Sequence, residues 1–92
     1  VSNELERFLL NPRYRLQWEE AQGCHVLLYP EGLVRLSGSA AEILKRCQSP
    51  ISRAALVADL QRKFPGAETL REDVAEFLQQ ARQREWIQRA ED

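Results

Sequence analysis

The chain has 92 residues, 43% of them hydrophobic and 29% charged, with a formal net charge of −1. It is too apolar for disorder, too short for more than one domain, and too balanced in charge to draw nucleic acid or an anionic membrane by its overall field. No apolar run approaches the ~20 residues of a membrane span, and Val1-Ser2-Asn3-Glu4 lacks the basic-then-apolar order of a secretory signal.

A cytoplasmic protein is therefore expected. With no Met anywhere, the chain is expected to lack its native start. Cys24 and Cys47 are too few for a disulfide framework and read as reduced, partly buried thiols.

Residues 1–11 read as a tail or docking arm with helical character, because Leu5, Phe8 and Leu9 share one face. Asn11-Pro12 ends it. Such an apolar arm can dock on its own domain or on a second copy, so a homodimer is an expectation. Residues 12–92 then form a single domain. Tyr14, Leu16 and Trp18 alternate with Arg15 and Gln17, as a half-buried strand does. Glu19 to Gly23 is a polar link. Cys24 to Tyr29 is apolar on both faces apart from His25, which suits a central strand. Pro30 presets the first central position of a turn and Gly32 permits φ > 0 at its exit. Leu33 to Leu36 is a third strand, after which Ser37-Gly38-Ser39 ends the sheet.

Three helices follow. Ser39-Ala40-Ala41-Glu42 reads as a capping box, with Ala40, Ile43, Leu44 and Cys47 as the buried stripe. Ser52 caps the second helix, whose stripe is Leu56, Leu60 and Phe64; Ile51 can staple onto Leu56, and Pro65-Gly66 ends it. Thr69-Leu70-Arg71-Glu72 reads as a second capping box. It launches the longest helix, with Leu70, Val74, Phe77, Leu78 and Ala81 buried and Trp86 and Ile87 near its end. Strands followed by helices indicate an α+β domain, here a winged-helix-like one with a three-stranded antiparallel sheet followed by three α-helices. A meander puts the second strand in the centre.

The third strand is the more usable edge. Leu33 and Val34 leave it without the Pro or inward Lys that blunts an edge, and Arg35 is its only charge. The first strand carries Pro12 at its entrance and Arg13 and Arg15 along it. On this reading Val34→Pro removes an edge donor and weakens capture of an added strand.

Catalytic equipment is missing from the pattern. His25 is the single histidine and Cys24, its neighbour, points to the opposite face of a strand. No metal spacing or Gly-rich phosphate loop occurs, so no catalytic residue, metal or cofactor is expected. The rival reading is a winged-helix DNA-binding protein, using the basic residues Lys45, Arg46, Arg53, Arg62 and Lys63. Against it, the longest helix opens with Arg71-Glu72-Asp73 and then Glu76, which repels phosphate.

Pro12-Arg13-Tyr14-Arg15-Leu16-Gln17-Trp18, Val26-Leu27-Leu28-Tyr29-Pro30-Glu31-Gly32, and Leu36 with Ser39-Ala40-Ala41-Glu42-Ile43-Leu44 and Cys47 together resemble the PqqD family of pyrroloquinoline quinone (PQQ) synthesis. Phe64-Pro65-Gly66-Ala67, Asp73-Val74, Phe77-Leu78 and Trp86-Ile87 extend the resemblance. Departures lie at Ser37, where the family has Asn, at Gln48-Ser49-Pro50, where Asp-Gly follows the Cys, and at Glu85, where Gly precedes the Trp.

The resemblance implies a non-catalytic recognition element that binds the precursor peptide PqqA as an added strand and presents it to the radical-SAM enzyme PqqE. By matched position it implies peptide contact at Leu33, Val34, Arg35 and Leu36, with Val74, Phe77, Leu78 and Ala81 nearby. Arg82 and Arg84 are candidates for acidic groups on a partner. Holding the leader would raise the local concentration of the core peptide at the enzyme.

Overall fold

The computed structural model describes residues 6–90. In chain order its elements are β1 (Arg7–Leu10), β2 (Arg15–Glu19), β3 (Cys24–Tyr29), β4 (Gly32–Arg35), α1 (Gly38–Arg46), β5 (Ile51–Ser52), α2 (Arg53–Lys63), α3 (Leu70–Gln83) and β6 (Ile87–Arg89). The strands form two antiparallel sheets of three, ordered β2-β3-β4 and β5-β1-β6. The expected meander is present, with β3 at its centre.

Register sorts the meander into two faces. Leu16, Leu27 and Val34 lie opposite one another, and all three pack into the core with Leu36 and the helices. Gln17, Val26 and Arg35 share the outer face, as do Arg15, Leu28 and Leu33. Each helix delivers one apolar stripe to the core: Ala40, Ala41, Ile43 and Leu44 from α1, Leu56, Val57 and Leu60 from α2, and Val74, Leu78 and Ala81 from α3. Leu27, Leu44, Leu56 and Leu60 are essentially sealed from solvent. Burying each such side chain stabilises the fold by roughly 1.5–3 kcal/mol.

Several sequence expectations change. Residues 7–10 are a strand, not part of a helix; Leu5 lies outside the described residues. β1 pairs with β5 through Arg7↔Ser52 and with β6 through Phe8↔Arg89, Leu9↔Gln88 and Leu10↔Ile87. Three or four residues of helix are unstable alone, whereas β1 gains strand partners on both sides, and its Leu10 N–H donates to Cys47 O at 2.7 Å. Phe8 is buried in the chain's own core. Trp86 and Ile87 lie just past the end of α3, and Ile87 opens a further strand, β6, that the sequence did not suggest.

Capping differs too. The first helix starts two residues early: Ser37, not Ser39, is the N-cap, and its hydroxyl accepts the Ala40 N–H at 3.2 Å. Ser52 caps α2 as expected, accepting the Ala55 N–H at 3.1 Å. Thr69 holds the N-cap position of α3 but makes no backbone cap. Its hydroxyl donates to the Asp73 carboxylate at 2.9 Å, so the second capping box is not formed.

Two aromatic residues are also less buried than expected. Phe64 is 41% exposed, because it sits at the C-cap of α2, where the helical period no longer sets its direction. Trp18 is 51% exposed at the end of β2. Its ring edges onto His25, and its indole N–H donates to Glu20 Oε2 at 2.8 Å.

α3 ends in a Schellman motif. Trp86 N–H donates to Ala81 O at 2.9 Å and Glu85 N–H to Arg82 O at 3.0 Å. Asn11 then ties this turn to the start of β2: its Nδ2 donates to Glu85 O and its N–H to Trp86 O, both at 2.8 Å.

Candidate functional site

The outer edge of β4 follows from the ladder. Antiparallel strands alternate residues that exchange both main-chain hydrogen bonds with residues that exchange none. Leu36 N–H donates to His25 O at 3.0 Å, so the pairs two residues on, Leu27↔Val34 and Tyr29↔Gly32, are bonded pairs. Leu33 and Arg35 therefore turn their N–H and C=O groups away from β3. No described strand pairs with that side of β4. This corrects the expectation for Val34: its N–H faces Leu27 inside the sheet and is no edge donor.

The turn that launches β4 is built as expected. Pro30 and Glu31 are its central residues and Tyr29 pairs with Gly32. Gly32 has a φ of +157°, and a Cβ there would also meet the Tyr29 ring at 3.7–3.9 Å. β4 then runs directly into Ser37 and α1.

Beyond that end of β4 lies a groove of about 360 Å³. Its apolar lining comes from three helices and the loop after α2: Ile43, Leu60, Phe64, Leu70, Val74 and Phe77. Ser37, Ser39, Glu42 and Asp73 supply its polar lining. The half-buried Phe77 ring leans on buried Trp86, with centroids 6.4 Å apart.

The predicted site residues do not fall at one place. Leu33 and Arg35 present free backbone, and Leu33 is 43% exposed. Val74 and Phe77 line the groove. Val34 and Leu36 instead pack into the core beneath β4, and Ala81 is fully buried. Leu78 lines a different cavity of about 550 Å³ on the far side of α3, with Phe8, Arg53 and Arg82. Arg82 sits over the Phe8 ring at 5.6 Å and pairs with Glu6 at 3.6 Å. Arg84 sits over Trp86 at 5.3 Å.

Phe64, Leu70 and Ile43 were not expected at a site. Each reads in sequence as one more member of a buried helical stripe, and only the meeting of three helix ends leaves a gap between them.

Four of the five basic residues of α1 and α2 are engaged within the fold, and the fifth, Arg53, lines the cavity beside Phe8. Arg46 bonds Asp59 and pairs with Glu42 at 2.8 Å, Lys45 and Lys63 each reach Glu42 at 3.3 Å, and Arg62 pairs with Asp59 at 2.8 Å. Arg46 together with the two lysines holds the Glu42 carboxyl down at about 2, against an ordinary 4.5. Arg46 and Lys63 therefore clamp α1 to α2, while the Lys45 and Arg62 pairs stay within their own helices. Burial pushes the Cys47 thiol up to about 11, which keeps it protonated and inert. Both cysteines are free. Among the described residues no cluster of His, Cys, Asp or Glu is arranged to hold a metal ion, and no helix is long and apolar enough to cross a membrane.

Known proteins share both the sequence and the architecture. The chain is 55% identical over 75 residues to a PqqA binding protein of Azotobacter vinelandii, covering 82% of each. A PqqA binding protein of Acinetobacter baylyi is 47% identical over 79 residues, 86% of this chain and 80% of that one. The solution NMR structure of the PqqD truncation of Methylobacterium extorquens PqqCD, a stand-alone recognition element for ribosomally synthesized and post-translationally modified peptides, superposes with a TM-score of 0.77. That match covers 97% of this chain and 96% of the other at 21% identity, a likeness of fold. The family model for coenzyme PQQ synthesis protein D matches residues 24–87, and the chain belongs to the PqqD family.

Proposed function

We propose that this chain binds the precursor peptide PqqA as an added strand along the outer edge of β4 and presents it to the radical-SAM enzyme PqqE. In this reading it performs no chemical step and works in the cytoplasm, where two unpaired cysteines stay reduced. The fold is put to use as a winged-helix-like peptide reader, and residues 12–92 act as one recognition domain with β1 as its built-in arm.

The observation that carries the reading is kinship with PqqA binding proteins at up to 55% identity. The free edge supplies a physical route. A guest strand gains main-chain hydrogen bonds from Leu33 and Arg35, and alternate guest side chains gain pockets. Guest residues facing the same way as Val34 and Leu36 point toward the helical layer, where Phe77 and Phe64 line the apolar groove. Arg82, in the last turn of α3, and Arg84, at its C-cap, are the proposed contact with the enzyme. Tethering the leader makes encounter of the core peptide with the active site an intramolecular event.

Titrating the nitrogen-15-labelled protein with synthetic PqqA tests this directly. Amide shifts concentrated at Leu33, Arg35 and Phe77 are expected. Shifts confined to β2, or none at saturating peptide, would sink the reading.

A further inference from the structure

Resting on the strand-addition reading, we infer that β4 selects its guest by charge as well as by main chain: the guest residue paired with Arg35 is acidic. Three observations carry this. First, Arg35 turns its N–H and C=O to the free edge, so a guest strand forms a bonded pair with it. Members of such a pair project their side chains to the same face. For Arg35 that is the outer face, which it shares with Gln17 and Val26.

Second, Arg35 is exposed and has no carboxylate partner among the described residues. The same is true of Arg15, two strands away on the same face. Lys45, Arg46, Arg62, Lys63, Arg82 and Arg89 are each matched to a carboxylate; Arg13, Arg53, Arg71 and Arg84 are not, among the described residues, and what sets Arg35 apart from them is its place on the outer edge of β4. Third, the residues between Arg15 and Arg35 on this face, Gln17, Val26, Leu28 and Leu33, are uncharged. A strand laid beside β4 therefore meets an apolar position at Leu33 and an unanswered positive charge two residues on. An apolar side chain beside Leu33 and a carboxylate beside Arg35 satisfy both. The same cation disfavours a basic guest at that position, because like charges directly opposite repel.

Charge exchange across the pair is the test. Wild type, Arg35→Gln and Arg35→Glu are titrated by calorimetry with PqqA and with PqqA peptides in which each Asp or Glu is replaced singly by Lys. Arg35→Glu is expected to weaken unmodified PqqA by about three- to tenfold, with Arg35→Gln between, and the loss is expected to shrink in high salt. One Lys-substituted peptide is expected to bind wild type weakly and Arg35→Glu well. Equal affinity of all three proteins for PqqA would overturn the inference, as would a set of Lys peptides that rank identically on wild type and Arg35→Glu; both outcomes leave strand addition standing. Failure of wild type to bind PqqA at all would remove strand addition and this inference together.

Discussion

Glu85 is the one non-glycine residue with positive φ among those described, at +63°. It holds the position after the helix cap in the Schellman turn of α3, where a Cβ crowds the following carbonyl and costs about 1–2 kcal/mol. The resemblance to the PqqD family implies a glycine here, and a positive φ is what glycine adopts without strain. Glu85→Gly is expected to stabilise the domain by about 1 kcal/mol in urea melts, with an unchanged m-value. A loss of stability would mean that the Glu85 side chain contributes more than its strained backbone costs. The residue scale also decides the edge. Val34→Pro removes a hydrogen bond to Leu27 inside the sheet and is expected to destabilise the fold. Leu33→Pro removes an outward donor and is expected to leave the melting temperature nearly unchanged while weakening PqqA roughly fivefold relative to Leu33→Thr. If Leu33→Pro binds as well as Leu33→Thr, the guest does not use that donor.

At the scale of elements, α1 and α2 are joined by packing and by the Glu42–Arg46–Asp59 network, which Lys63 extends. Glu42 has its folded pKa depressed to about 2 from 4.5. The folded state thus binds fewer protons than the unfolded one between these values. The stabilisation is complete above about 4.5 and is lost as pH falls toward 2. Asp59, lowered by Arg46 and Arg62, acts in the same direction. Glu42→Gln is expected to cost roughly 1–3 kcal/mol at pH 7, with the gap to wild type closing as acid is added. A gap that stays constant down to pH 2 would show that the carboxylate charge is not what holds the helices. The three helices and the meander were legible because their apolar periods are long and locally coherent. Caps were less so: Ser37 and Ser39 both suit an N-cap, and the choice depends on where β4 releases the chain. The groove was not legible, since Phe64, Leu70 and Phe77 come from segments whose sequence patterns say only that each is apolar.

For the whole molecule, the strand missed in sequence matters most. Phe8 buries its ring in the common core while its backbone is held by β5 on one side and β6 on the other. Leu5, Phe8 and Leu9 happen to fit a helical spacing, β5 and β6 are two and three residues long and carry too little pattern to be read, and these partners of β1 lie mid-chain and near the opposite end. Phe8→Ala is expected to cost about 3–5 kcal/mol, a large part of the 5–15 kcal/mol typical of a small domain, and to lower the thermal midpoint by more than ten degrees. A midpoint within a few degrees of wild type would show β1 to be an ornament. The small sheet has one more consequence. Ala90 N–H donates to Arg7 O at 2.8 Å, so positions near the two extremities of the fold emerge side by side on the β5-β1-β6 ribbon and not on the meander. A domain fused at either extremity would leave from the same spot, and swapping the order of a tandem fusion would leave the geometry of its hinge almost the same.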